Sequence, residues 1–139
     1  MKTLSVGGRA DAEAAISDLV AQGQLGFVLA VLATRVPDIN EQDGYDEGDR
    51  VLAALAQRLA GPEGFSRELF RWSATSFTIV SRSLRKIQDA SADGVATAMF
   101  AAWPGESPHA LFDRIDEYIA SRLAYGEPAT SPVRLFRAV

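Results

Sequence analysis

The spacing of apolar positions along the chain predicts alternating helices and short strands. Apolar residues recur at helical spacing from Asp11 to Gln22, and Gly23 stands where such a helix commonly ends. The run from Phe27 to Leu32 is continuously apolar and short, which is typical of a strand covered on both faces. The stretch from Pro37 to Gly44 is polar. We predict no helix there, and Pro37 ends the strand because proline cannot donate a ladder hydrogen bond.

The strongest helical pattern runs from Tyr45 to Ala60. Its first turn is acidic, which suits the positive end of the helix dipole, and the pair Gly61-Pro62 ends it. The apolar stripe that should face the core consists of Val51, Leu52, Leu55 and Leu59.

Two strand-like runs follow, from Glu68 to Trp72 and from Phe77 to Ser81. The link from Ser73 to Ser76 is short, so the two runs are predicted to form a hairpin. Their large apolar side chains are expected in the core rather than in an exposed patch, with Phe70 and Trp72 on one face of the first strand and Phe77 and Ile79 on one face of the second.

The last third of the chain predicts a strand, a helix and an edge strand. Ser83 to Gly94 is polar and is left open between a brief helix and a loop, and Ala96 to Trp103 follows as a strand. Ser107-Pro108 begins a helix that continues to Gly126, because serine caps helices and proline suits their first turn. Val133 to Phe136 closes the sheet as an edge strand. The stripe of this last helix is Leu111, Ile115, Tyr118, Ile119 and Leu123.

This order of elements predicts an α/β sandwich with a mixed, mostly antiparallel central sheet flanked by helices. The length of 139 residues fits one domain, which we place at residues 1–139. We find no internal repeat, low-complexity tract or linker.

Composition narrows the classes of function. The formal charge is 14 − 18 = −4, and with only two lysines the chain is a poor candidate for binding nucleic acid. The absence of cysteine excludes disulfides and thiolate sites, and the single histidine, His109, is expected at the surface. No apolar run is long enough to cross a bilayer and no signal peptide is expected, so we predict a cytoplasmic protein without a membrane partner.

The segment from Asn40 to Leu59 resembles the first helix region of GGDEF (diguanylate cyclase) domains. The family pattern there is N-D-x-x-G-H-x-x-G-D before an amphipathic helix, and Asn40, Gly44, Gly48 and Asp49 are in register with it. The apolar strand before this segment and an Arg-x-x-x-x-x-Phe hairpin after it also fit. Weaker matches are Leu4 to Arg9, with the opening L-T-G-L-x-N-R, and Asp116 and Gly126, with the last helix. The resemblance covers nearly the whole chain and implies bacterial cyclic-di-GMP signalling.

The departures from the family bear on catalysis. The signature G-G-D-E-F falls on Ser73-Ala74-Thr75-Ser76-Phe77, so only the phenylalanine is kept. In the family, acidic groups hold two Mg²⁺ ions, and here the strand aspartate is Leu32 while the hairpin acids are Thr75 and Ser76. Mg²⁺ requires oxygen ligands, usually carboxylates. We therefore expect no metal site, no cofactor and no cyclase activity. We also expect a different hairpin turn or a longer strand pairing, because Ser73-Ala74 resist the positive φ angles that two glycines permit.

Phosphate contacts that the resemblance implies are also changed. The family's Phe-Lys lysine falls on Pro37, and the lysine and arginine of its last helix fall on Leu123 and Glu127. The product-inhibition motif R-x-x-D falls on Gly64 and Arg67, so we expect no cyclic-di-GMP capture there. Each change removes a charge that the triphosphate or the cyclic dinucleotide would need.

Asn40 and Asp49 align with the pair that contacts the guanine edge in active members. An amide and a carboxylate together accept from and donate to guanine, so they are a candidate base pocket. The alternative is local: Asn40 orders its loop, and Asp49 stabilises a helix start.

The leading hypothesis is a degenerate, non-catalytic GGDEF-like domain that acts as a regulatory or protein-interaction module, with an EAL-type domain or a separate protein as partner. A homodimer stays open. The second hypothesis is a sensor that binds GTP or another guanine nucleotide weakly and without turnover. A third, an unrelated small α/β enzyme, is disfavoured because the chain has no convergent catalytic group.

Overall fold

A computed structural model describes residues 6–60, 68–82, 94–125 and 135–137. The predictions at Gly64, Arg67 and Glu127, most of the segment from Ser83 to Gly94, and the end of the last helix at Gly126 lie outside the described residues.

The centre of the molecule is a five-stranded sheet with the order β2-β3-β1-β4-β5. The strands are β1 (Gly26–Ala33), β2 (Leu69–Ser73), β3 (Ser76–Ser81), β4 (Val95–Ala102) and β5 (Leu135–Arg137). The first four pair antiparallel, and β5 pairs parallel with β4 at the edge. The predicted mixed, mostly antiparallel sheet is confirmed.

Helices cover both faces of the sheet. Helices α1 (Arg9–Ala21) and α4 (Pro108–Tyr125) pack on one face, and α2 (Val36–Asp43) and α3 (Tyr45–Ala60) pack on the other. Strand β1 lies in the middle, with Leu32 in the cluster beside α1 and α4 and Val31 in the cluster beside α2 and α3. Burial on both faces explains why this strand is continuously apolar rather than alternating.

The bounds of α3 agree with the prediction, whereas its buried stripe lies slightly to one side of the predicted one. Leu52, Leu55 and Ala56 are buried, but Val51 is 36% exposed. A helix turns about 100° per residue, so the stripe that begins at Leu52 continues through Leu55 and Ala56 and leaves Val51 beside it.

Leu123, the last member of the predicted α4 stripe, is 41% exposed. Among the α4 side chains that the structure describes, which extend to Leu123, Ile119 is the last one in the core cluster beside α1 and α4. Across the described ranges, none of the helices combines the length and the apolar character that a membrane span requires.

Helix α2 corrects the interpretation of the polar stretch from Pro37 to Gly44. Proline is favourable in the first turn of a helix, where its missing N–H would have no partner, and Pro37 occupies that turn. Val36 is the only fully buried residue of α2, so a single anchor holds a helix whose other positions are mostly polar. A helix with one buried residue shows no apolar period in the sequence.

The predicted hairpin is present, with Ala74 and Thr75 between β2 and β3. Every positive φ among the described residues belongs to a glycine, so this turn forms without one. The pairing register shifts between Arg71 and Ser73. The absence of positive φ angles agrees with the argument from Ser73-Ala74, whereas the expected difference from the family's turn or strand pairing stays a prediction. Trp72 and Phe77 are both 2% exposed, so both are in the core as predicted, and they lie on opposite faces of the sheet.

Candidate functional site

Three backbone segments meet at one end of the sheet, which we call the hairpin end. The Ala33 amide donates to the Thr75 carbonyl at 2.8 Å, and the Thr34 amide donates to the Gly94 carbonyl at 2.9 Å. These bonds join the end of β1 to the hairpin turn and to the start of β4. The hairpin end brings together the positions where the resemblance implies a metal site, namely Leu32, Thr75 and Ser76.

The side chains at these positions are engaged in packing and local hydrogen bonds. Leu32 is fully buried in the apolar cluster beside α1 and α4, and Ser76 is fully buried as well. The hydroxyls of Ser73 and Ser76 share a hydrogen bond of 2.5 Å across the turn, and the Thr75 amide donates to the Ser73 hydroxyl at 3.3 Å. The serine hydroxyls therefore form their hydrogen bonds within the hairpin.

Arg71 holds the same turn from its own strand. Its Nε donates to the Ser73 carbonyl at 2.7 Å, and its Nη2 donates to the Ala74 carbonyl at 2.8 Å. The guanidinium carbon also lies 5.4 Å from the centre of the Phe77 ring. These contacts explain the structural use of the Arg-x-x-x-x-x-Phe pattern: its arginine and its phenylalanine pack together and order the turn between them.

Asn40 and Asp49 lie at the junction of α2 and α3. The Asn40 side chain is half-buried, and its Oδ1 is enclosed without a hydrogen-bond partner among the described residues. That oxygen lies against Gly48, where a Cβ atom would overlap it. Asp49 is exposed, and no described residue forms a hydrogen bond or ion pair with its carboxylate. The two candidate residues are therefore neighbours through Gly48, and Asn40 belongs to a helix rather than to the predicted loop.

At the hairpin end, the hydroxyls of Ser73 and Ser76 and the carbonyls of the turn already form hydrogen bonds within the chain. Over the ranges 6–60, 68–82, 94–125 and 135–137, no three His, Cys, Asp or Glu side chains come together in a group able to hold a metal ion. Pro37 is exposed in the first turn of α2. His109 is exposed on the first turn of α4, as predicted, and meets the Phe112 ring edge-on at 5.4 Å between centroids.

A charged cluster lies on the face of the sheet that α1 and α4 cover. The sequence did not predict it. Arg9 donates to both carboxylate oxygens of Asp116, and the Trp72 indole N–H donates to one of them at 2.9 Å. The hydrogen bonds to Asp116 raise the pKa of the Arg9 guanidinium above its ordinary value. The hydrogen bond to Glu13 also raises this pKa, whereas partial burial lowers it. Both Arg9 and Asp116 matched the family pattern, but the sequence shows no pairing between them.

A pocket of about 490 Å³ was missed as well, since no motif marks it. It lies between α2, α3 and the start of β4, with mostly apolar walls and the arginines Arg35 and Arg58. Neither Asn40 nor Asp49 lines it.

Comparisons with known proteins identify the fold. No protein-family model matches the sequence, and the curated proteins give no match. Among solved structures, the chain is similar to the S helix-GGDEF-EAL part of LapD from Vibrio cholerae, with a TM-score of 0.72 and 18% identity, covering 98% of this chain and 36% of that one. This chain thus spans much less than the whole LapD structure.

Two further solved structures match over nearly the whole chain. The GGDEF domain of DgcB from Caulobacter crescentus, in complex with c-di-GMP, has a TM-score of 0.62 and 17% identity, covering 99% of this chain and 95% of that one. The diguanylate cyclase SiaD from Pseudomonas aeruginosa, in complex with its activator SiaC, has a TM-score of 0.66 and 16% identity, covering 96% of this chain and 59% of that one. The chain has the GGDEF fold.

Proposed function

We propose that this chain is a non-catalytic GGDEF-like module of bacterial cyclic-di-GMP signalling, cytoplasmic, that regulates or binds a protein partner. The observation that supports this most directly is the state of the hairpin end. Leu32 and Ser76 are fully buried, and Ser73 and Ser76 bond to each other. Apolar and hydroxyl groups stand where the resemblance places the carboxylates that hold Mg²⁺, so charge neutralisation during phosphoryl transfer has no source at these positions.

The partner we propose is an EAL-type domain or a separate regulatory protein. Structures of similar fold include a GGDEF-EAL protein and a diguanylate cyclase in complex with its activator, so this fold occurs in both kinds of assembly. A homodimer is the alternative arrangement.

The test is a diguanylate cyclase assay with GTP and Mg²⁺, and with Mn²⁺ in parallel. Chromatography would follow both cyclic-di-GMP and the linear intermediate, and an active GGDEF domain would serve as positive control. We expect no product from this chain. A Mg²⁺-dependent rate that is lost in Thr75→Val would overturn the proposal.

A second candidate function is a guanine-nucleotide sensor without turnover. It rests on Asn40 and Asp49, which lie on either side of the same helix junction. The Asp49 carboxylate is exposed, whereas the Asn40 Oδ1 is enclosed against Gly48 and would have to turn outward to meet a base. Base contacts without phosphate contacts give weak binding, because the charge-assisted bonds come from the phosphates.

Calorimetric titration with GTP, with and without Mg²⁺, and then with cyclic-di-GMP distinguishes the two functions. The sensor predicts saturable GTP binding that does not need Mg²⁺ and that Asn40→Ala and Asp49→Ala abolish. Asp46→Ala is the matched control, since it removes an exposed carboxylate from the same helix. No heat with either nucleotide would discard the sensor and leave the protein-interaction module.

A further inference from the structure

The pocket between α2, α3 and the start of β4 has the size of a small-molecule site. Its volume of about 490 Å³ falls within the range of roughly 300–1,000 Å³ that is typical of ligand pockets. It is separate from the Asn40 and Asp49 junction and from the hairpin turn, none of whose residues line it.

The walls of the pocket are mostly apolar, and they include Val51, a large apolar residue that is exposed. Val36 and Ile39 come from α2, while Val51, Ala54 and Leu55 come from α3. Val51 is among the large apolar residues that remain exposed, at 36%. The α3 pattern that the sequence analysis assigned to the core thus includes a residue that faces this pocket instead.

The side chains of two arginines at the pocket are unpaired among the described residues. Neither the Arg35 nor the Arg58 guanidinium makes a hydrogen bond or ion pair within the part of the chain that the structure describes, although the Arg35 carbonyl accepts from the Ile39 amide. Acidic residues are not scarce in this chain, which carries 18 Asp and Glu against 14 Lys and Arg. Arg50, on the same helix as Arg58, pairs with Glu47 at 3.0 Å.

The Arg35 side chain packs against the backbone of Gly94. Gly94 has a φ of +79°, and a Cβ atom there would come within 3.2 Å of Arg35 Cδ. The Thr34 amide donates to the Gly94 carbonyl at 2.9 Å, so β1 and the start of β4 are bonded next to this contact. The aliphatic part of the Arg35 side chain therefore packs against Gly94 at the pocket.

We propose that this pocket binds a small amphipathic anion, a molecule with an apolar body and one carboxylate or phosphate group. The apolar walls would bury the body, and the guanidinium groups of Arg35 and Arg58 would bind the anionic group, for which arginine is suited by its planar pair of donors. This binding does not depend on the proposed signalling function, because it uses none of the residues on which that proposal rests.

The test is a titration of the full chain with octanoate, octyl phosphate, 1-octanol and octylammonium, all below their micelle-forming concentrations, followed by amide NMR shifts and calorimetry. Octanoate and octyl phosphate distinguish the two anionic groups, while the alcohol and the ammonium test the need for negative charge. We expect one or both anions to bind and to shift Ile39, Ala54 and Val95. The alcohol should bind more weakly, and the ammonium should not bind.

Variants distinguish binding in this pocket from non-specific binding elsewhere on the protein. Arg35→Ala and Arg58→Ala should each weaken the anion about three- to five-fold, a modest effect because exposed charges are screened. Arg50→Ala removes the same charge from α3 outside the pocket and should leave the affinity unchanged. Ala54→Trp should abolish binding by filling the pocket, whereas Ala53→Trp, an exposed neighbour that does not line it, should not.

The proposal would be overturned by equal binding of octanol and the anions, by shifts that map away from the pocket, or by no binding of any probe. A loss of affinity in Ala53→Trp equal to that in Ala54→Trp would do so too. A negative cyclase assay leaves this outcome unaffected, so the two proposals fail separately.

Discussion

Arg9 and Asp116 form a bidentate ion pair, with both nitrogen–oxygen distances at 2.8 Å, although 107 positions separate them in the chain. The guanidinium carbon of Arg9 also lies 4.0 Å from the centre of the Trp72 ring, and the indole N–H of Trp72 donates to Asp116. One carboxylate thus ties together the beginning of α1, the middle of α4 and strand β2.

Removing that carboxylate should destabilise the fold. In Asp116→Ala the buried Trp72 loses its acceptor and Arg9 loses its main partner, so we expect the free energy of unfolding to fall by about 1–3 kcal/mol in urea denaturation. Asp113→Ala, which removes an exposed carboxylate from the same helix, is the control and should change stability little. Equal effects of the two substitutions would show that the cluster contributes nothing specific.

The hairpin turn should depend on Arg71. Replacing it by Ala removes donors to the Ser73 and Ala74 carbonyls, and we expect a loss of about 1 kcal/mol in stability. Hydrogen exchange at the Ala33 amide, which bonds to the turn at Thr75, should become faster than in Arg50→Ala, whose arginine pairs within α3. Unchanged exchange at Ala33 would mean that the serine hydroxyls suffice to order the turn.

The junction of α2 and α3 requires a glycine at position 48. Alanine is intrinsically better in a helix, yet in Gly48→Ala the new methyl group would overlap Asn40 Oδ1, and we expect a net loss of about 1–3 kcal/mol. The double variant Asn40→Ala with Gly48→Ala removes the overlapping atoms and should recover most of that loss in thermal unfolding. A double variant no more stable than Gly48→Ala alone would contradict this account of the close packing.

Restoring the family's strand aspartate should unfold the protein rather than repair a metal site. Leu32 is fully buried among apolar side chains, so Leu32→Asp both empties that space and buries a charge, with an expected cost of about 4 kcal/mol or more. Circular dichroism would measure this loss, with the exposed Leu123→Asp as control. A folded Leu32→Asp protein that Mg²⁺ stabilises would contradict the prediction.

The sequence was informative where burial repeats with a regular period. Helix α3 was predicted with its correct bounds because four buried or half-buried positions recur on one face, and β1 was predicted because both its faces are covered. Helix α2 was missed because only Val36 anchors it. A single buried residue has no period, whatever structure surrounds it.

The candidate sites show a similar division. The family pattern selected Asn40 and Asp49 as a candidate base pocket, but only the fold shows that they lie at one helix junction and that the Asn40 oxygen lies against Gly48. The Arg9–Asp116 pair depends on how α1 and α4 pack together, and the pocket depends on three elements at once. Neither the ion pair nor the pocket can be recognised from residues that are close together in the sequence.

The strand order has a consequence for how the molecule assembles on the ribosome. Strand β1 emerges first, yet its two neighbours, β3 and β4, are synthesised much later, and only β2 and β3 are joined by a tight turn. Both edges of β1 therefore stay unpaired in the nascent chain until β3 and β4 have been synthesised. The β2–β3 hairpin, whose strands are close in sequence, can form before the full sheet does. Non-local pairing of this kind slows folding, and it makes the interval before β3 and β4 arrive the stage most open to aggregation.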